Sequence, residues 1–156
     1  MKIVNIKKFQ NRKYIKQVAK LEIELWNNKM TEIPAYVKGI KESIRRKNCT
    51  ILCAVDESDD VIGYINLNIY YSHDEQPSFE PILHVFGLYV TPTHRNKGVA
   101  TQLFKEAEKY GLEFGCTRMS SSYFDFNKSS ASLHKSLGFV ETNKICRVIK
   151  NIENNS

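Results

Sequence analysis

Nothing in the sequence approaches the roughly 20 consecutive apolar residues that a membrane-spanning helix requires. The opening residues, MKIVNIKKFQ, also lack the apolar centre of a secretory signal. Both absences predict a soluble, cytoplasmic protein with no membrane partner. Cysteine is sparse: Cys49, Cys53, Cys116 and Cys146 form no C-x-x-C pair and no block with histidine. The spacing therefore predicts neither a metal site nor a redox motif, and each cysteine falls in apolar company suited to a core. Internal repeats are absent. Low-complexity sequence is confined to residues 151–156, a polar tail expected to be flexible. The formal charge of +6 has no organisation, because lysine and arginine are scattered without aromatic interleaving or a recognisable nucleic-acid module. No nucleic-acid partner is expected. A polyphosphate-bearing ligand or an ordinary surface excess of lysine accounts for the charge equally well.

What is present suits one domain. A chain of 156 residues with 42% apolar content can bury a core without disulfides or metal, and a single domain over residues 1–150 is predicted. Ile3, Val4 and Ile6 predict a short strand. Ile15, Val18, Leu21, Glu22 and Leu25 make a helical stripe ending near Trp26. Pro34 permits a second helix, on which Val37, Ile40 and Ile44 recur at helical spacing. Residues 50–56 and 61–71 read as an antiparallel hairpin about the polar turn at 57–60. A polar loop over 72–81 leads to a strand at 82–90, ended by Thr91-Pro92. Val99, Leu103, Ala107, Tyr110 and Phe114 predict a helix from Gly98, and residues 117–121 a strand parallel to the preceding one. A helix over 128–137 stopped by Gly138 and a terminal strand at 145–150 complete an α/β order with a mixed sheet.

The segment Thr91-Pro92-Thr93-His94-Arg95-Asn96-Lys97-Gly98-Val99-Ala100 carries the chemistry. It places basic side chains, a glycine and a small residue at a helix N-terminus directly after a strand. Free N–H groups of the first turn and the positive end of the helix dipole bind anions there. Gly98 allows close backbone approach, Ala100 leaves space, and Arg95 and Lys97 add charge. The turn is not a Walker loop, since no G-K-[ST] follows, and it holds one of the three glycines of a Rossmann fingerprint.

Arg95-x-x-Gly98-x-Ala100 resembles the Q/R-x-x-G-x-G/A pyrophosphate motif of the GNAT family of N-acetyltransferases, with that family's preceding strand present as Gly87-Leu88-Tyr89-Val90. Asn127, Ser130, Ala131, His134 and Gly138-Phe139 resemble its C-terminal motif. The resemblance implies the GNAT fold, a mixed and mostly antiparallel sheet splayed at its central strand with helices on both faces. It implies acetyl-CoA as co-substrate, held by Leu88, Tyr89, Val90, Arg95, Asn96, Lys97, Gly98, Val99, Ala100, Thr101 and Asn127, and no metal. Acetyl transfer by direct amine attack needs a base, an oxyanion donor and an acid. Glu80 and His84 are the candidate bases, the Leu88 or Val90 amide the oxyanion donor, and His134 the acid, where the wider family usually has Tyr.

Within the family the chain is most similar to aminoglycoside 6'-N-acetyltransferases, through Leu25-Trp26, Ala54-Val55-Asp56, Tyr71-Ser72-His73-Asp74 and His134-x-x-Leu137-Gly138-Phe139-x-Glu141-Thr142. That resemblance implies an acceptor site using Trp26, Tyr71, Asp74, Phe86, Ser122 and Asp125, and a homodimer. Phe86 stands where those enzymes carry Glu, and Ser121-Ser122 where they carry a Ser-Asp pair. Asp74, Glu75, Glu80 and Asp125 are the acidic groups left to meet a polycation. A polyamine, an amino-acid derivative or a peptide amine is the alternative acceptor, and a non-catalytic acyl-CoA-binding module the alternative function.

Overall fold

Asparagine punctuates the first part of the chain. β1 (Lys2–Asn5) leads into a single helical turn, α1 (Ile6–Phe9), because the Asn5 side chain accepts from the Lys7 amide at 3.0 Å and turns the backbone. Ile6, predicted on the strand, thus enters the core from α1, with 0% exposure. Asn11 caps α2 (Arg12–Trp26) by accepting from the Lys13 amide at 2.9 Å, and Asn27 ends it in the left-handed conformation that Asn tolerates. A 3-10 turn (Met30–Glu32) precedes α3 (Ile33–Arg45), with Pro34 in the first turn, where its missing N–H costs nothing.

The computed structural model describes residues 1–9, 11–71 and 80–142, and of Phe9 and Tyr71 the backbone alone. They fall into two compact units, Met1–Ser122 and the chain from Tyr123 onward. The predicted strand at 145–150, the tail at 151–156, Cys146, and the loop residues Asp74 and Glu75 lie outside the described residues.

The first unit is built on β1, β2 (Cys49–Val55), β3 (Val61–Tyr71), β4 (Pro81–Val90) and β5 (Arg118–Ser121), which lie in that order in one sheet. All neighbours are antiparallel except β4 and β5, which are parallel and joined by α4 (Val99–Glu113). The β2–β3 turn is closed by the Asp56 carboxylate, which accepts from the Ser58 and Asp60 amides. α2 and α3 cover one face: Tyr14, Ile15, Val18, Ile40 and Ile44 pack with Ile51, Cys53 and Tyr64. α4 presses on the other face so closely that a Cβ at Gly111 would lie 3.0 Å from the Leu83 side chain. Each fully buried aliphatic side chain, such as Val18, Ile51, Leu67 or Leu103, contributes roughly 1.5–3 kcal/mol. Cys49, Cys53 and Cys116 are reduced and buried.

The second unit contains α5 (Lys128–Ser136). Asn127 caps it by accepting from the Ser130 amide at 3.0 Å, and Gly138, at φ 84°, lets the Phe139 amide close back on the His134 carbonyl at 3.0 Å.

Candidate functional site

Two polar residues interrupt an otherwise apolar central strand. Along β3, Tyr64, Asn66 and Asn68 point to the α2/α3 face, while Ile65, Leu67 and Ile69 point to the α4 face. Between α2, α3 and the Asn66 and Asn68 side of β3, a cavity of about 710 Å³ opens. Glu22 and Trp26 of α2, Tyr36 and Ser43 of α3, and Phe86 and Gly87 of β4 also line it. Burial pushes the Glu22 carboxyl above its usual range, against the opposing pull of a hydrogen bond from Asn66. Tyr64 is 1% exposed, and its hydroxyl has no hydrogen-bond partner among the described residues. Burial, and then the charge of Glu22, pushes its ionisation up.

β4 is irregular where it meets this cavity. Asn66 faces Gly87 and Leu67 faces Val85, so Phe86 is the extra residue of a β-bulge and is 68% exposed. Beyond the bulge, the Thr91 amide donates to Ile62 at 2.9 Å. Antiparallel pairing alternates, so the Gly87 and Tyr89 amides also face β3, while those of Leu88 and Val90 face away from it. On that far side β5 is in register with Ile82–Val85 alone. The sheet therefore splays beside Leu88 and Val90 and turns their N–H groups towards the opening.

β4 runs into a 3-10 turn (Pro92–His94) and then Arg95-Asn96-Lys97-Gly98. His94 Nδ1 donates to Thr91 Oγ1 at 2.8 Å, and that hydroxyl donates to the Ile62 carbonyl at 3.1 Å, which pins the entry to the turn. Arg95 folds back: its Nε donates to the Val90 carbonyl at 3.0 Å and its guanidinium lies 5.4 Å from the centre of the Tyr89 ring. Gly98 is needed for its conformation, φ 76°, and not for crowding, since an added Cβ would meet nothing within 4 Å. Unlike α2 and α5, α4 has no side chain capping its start. Its first internal bond runs from the Gln102 amide to the Gly98 carbonyl at 3.0 Å, which leaves the N–H groups of Val99, Ala100 and Thr101 for an external anion. The Val99 side chain is buried, so its backbone alone can serve.

Of the candidate bases, His84 stands opposite Asn68, on the cavity face of β4. Its Nδ1 lies 2.9 Å from Ser120 Oγ, its ring meets Tyr70 edge-on, and burial pulls its pKa below the usual value. Glu80 lies exposed just before β4 and accepts from Thr117 at 3.1 Å. In the second unit His134 is 6% exposed, between the rings of Tyr123 and Phe139. Its Nδ1 donates to the Ser130 carbonyl at 2.8 Å, so the neutral ring carries its proton on Nδ1. The Asn127 side-chain oxygen is engaged as the helix cap. Asp125 is exposed and offers its carbonyl to Lys128.

Of the acceptor residues expected from sequence, Trp26 and Phe86 line the cavity. Ser122 is exposed after β5. Asp74 and the Tyr71 side chain lie outside the described residues. Sequence reasoning missed Glu22, Tyr36, Asn66 and Asn68 as cavity residues. The signal was present in three of them: an acid inside the apolar stripe of α2, and two asparagines in a strand covered on both faces. Among the described residues, no group of three or more His, Cys, Asp or Glu is placed to hold a metal ion, and no helix is long and apolar enough to cross a membrane.

Residues 11–139 match the Acetyltransferase (GNAT) family. The chain is 28% identical over 139 residues to an aminoglycoside N(6')-acetyltransferase type 1 of Acinetobacter haemolyticus, covering 89% of this chain and 93% of that protein. The ligand-free crystal structure of an aminoglycoside antibiotic 6'-N-acetyltransferase, AAC(6')-IG, from the same organism superposes with a TM-score of 0.80 at 27% identity, over 98% of this chain and 100% of that one. AAC(6')-Iy in complex with the bisubstrate analogue CoA-S-monomethyl-acetylneamine shares the fold, with a TM-score of 0.81 at 23% identity over 97% and 98% of the two chains.

Proposed function

Because the chain belongs to the GNAT family of acetyltransferases, we propose that it transfers the acetyl group of acetyl-CoA to the 6'-amine of an aminoglycoside. The observation that carries the reading is the continuity along β4. A cavity large enough for a sugar ring opens at the bulge, two amides face the splay beyond it, and an uncapped helix start follows at Gly98. The acceptor is taken from the aminoglycoside 6'-N-acetyltransferases among its relatives.

In this reading the CoA pyrophosphate takes the N–H groups of Val99, Ala100 and Thr101, with Asn96, Lys97 and Gly98 shaping the turn. Arg95 braces it through Tyr89 and Val90. The acceptor nitrogen forms its bond to the thioester carbonyl carbon, and the oxyanion that develops is met by the Leu88 or Val90 amide. Collapse of the tetrahedral species breaks the C–S bond as the cationic nitrogen loses its second proton to water, leaving the amide. A 6'-ammonium must first lose a proton, since an alkyl amine of pKa near 10.4 is about one part in a thousand free base at neutral pH. His84, kept neutral by burial, is the assigned base, acting directly or through water. Glu80, tied to Thr117, is the weaker assignment. The departing thiolate takes its proton from Nε2 of protonated His134, a role that rests on the family resemblance. Asn127 caps the helix that carries His134.

A thiol-release assay with acetyl-CoA tests the proposal across kanamycin, spermidine, amino-acid amides and short peptides. Saturable release with kanamycin is expected. Release with another class alone would retire the aminoglycoside, and tight CoA binding without release from any amine would favour a binding module.

A further inference from the structure

The cavity contains a carboxyl group that has no counter-ion among the described residues. Glu22 occupies a place in α2 where the stripe of Ile15, Val18, Leu21 and Leu25 calls for an apolar residue, and it faces β3. Its carboxyl is partly buried, and Asn66 is the polar side chain that offsets part of the effect of that burial on its ionisation. Among the described residues no lysine or arginine pairs with it; Arg46, the other charged side chain lining the cavity, forms no ion pair with it. Withdrawing a carboxylate from water without a cation is costly, and a protein retains such a group where a ligand supplies the cation. The neighbouring polar groups are uncharged: Tyr36, Ser43, Asn66 and Asn68, with the unpartnered Tyr64 hydroxyl behind them.

Resting on the reading above, we infer that Glu22 is the carboxylate that receives the ammonium group of the acceptor, and that the part of the acceptor entering the cavity carries one positive charge among hydroxyls. A single carboxylate satisfies one ammonium. The amides and hydroxyls around it complement sugar hydroxyls, whereas Arg46 repels a second cation at close range. An aminosugar ring has this pattern. A linear polyamine, with ammonium groups spaced along an apolar chain, does not. Glu22 is thus a specificity-determining residue, distinct from the base.

The test is a binding cycle that needs no turnover. Trp26, the sole tryptophan in the sequence, lines the cavity, so its fluorescence reports occupancy. Wild type and Glu22→Gln are titrated with kanamycin and with an analogue bearing a hydroxyl in place of the 6'-amine. The substitution is expected to weaken kanamycin about tenfold or more and the hydroxyl analogue less than about twofold, because the lost interaction requires both partners. Glu22→Asp should restore part of the kanamycin affinity. Equal losses for both ligands, no loss for either, or no saturable signal in wild type would overturn the inference. A thermal melt of each variant separates misfolding from lost recognition. Thiol release measured alongside keeps the two claims apart: an intact cycle without release sinks acetyl transfer and spares Glu22, while release unaffected by Glu22→Gln does the opposite.

Discussion

The ring of His134 donates from Nδ1 to the carbonyl of Ser130, one turn earlier in α5, at 2.8 Å. That bond puts the proton of the neutral ring on Nδ1, so the acid role proposed for His134 falls to Nε2 of the imidazolium. His134→Ala should lower kcat by roughly a hundredfold or more, the usual cost of losing a general acid, while acetyl-CoA affinity changes little. Stopped-flow kinetics beside calorimetric CoA binding would show it. A matching loss of CoA affinity would make the residue a packing element of α5 instead.

With His84 as the proposed base, its ionisation is expected to set the acid limb of the pH profile. A base must be neutral to accept a proton, and burial lowers the pKa of this ring, so it stays neutral further into acid than an exposed histidine. The limb of kcat should therefore fall below pH about 6.5, the ordinary histidine value, and vanish in His84→Gln with its kcat much reduced. An unchanged limb in that variant would transfer the role elsewhere.

Gly98 adopts φ 76° with open space around it. Gly98→Ala should cost about 1 kcal/mol through backbone strain alone. Gly98→Glu adds a negative charge beside the uncapped start of α4 and should weaken CoA binding by about tenfold or more, that is by at least about 1.4 kcal/mol. Kanamycin titrated through Trp26 fluorescence should bind both variants normally.

Asp59 anchors the β2–β3 turn to α2. Its carboxylate is held below the usual range first by the Tyr14 hydroxyl and then by Lys13 and Lys2. A depressed carboxyl contributes stability that is present above its unfolded pKa, near 3.9, and is lost as the pH falls through the folded value. Asn also tolerates the left-handed conformation at this position, φ 62°, so Asp59→Asn removes the charge without backbone strain. Thermal melts should place the variant below wild type at pH 7, with the gap closing as the pH falls below about 4.

Periodicity made most of the first unit legible. Trp26 ends α2 as the stripe from Ile15 to Leu25 predicts, the helix from Val99 follows from Leu103, Ala107 and Tyr110, and the strand after it is parallel to β4 as residues 117–121 predict. Ile6 was misplaced because a side chain fully buried in a short helix looks the same in sequence as one in a strand. The candidate anion-binding turn was legible because its chemistry is local: contiguous residues form both the glycine conformation and the uncapped helix start. The cavity was not, since Glu22, Tyr36 and Asn66 come together through packing of α2 and α3 on the sheet. Phe86 was visible as a departure from relatives, but its position in a bulge depends on the register of β3 against β4.

The position of the new amide in the product identifies the acceptor nitrogen. Kanamycin incubated with acetyl-CoA and the protein should give one monoacetylated species, with two-dimensional NMR placing the new amide on the 6' nitrogen. An amide on a different nitrogen, or kanamycin recovered unchanged while another amine is acetylated, would contradict the account.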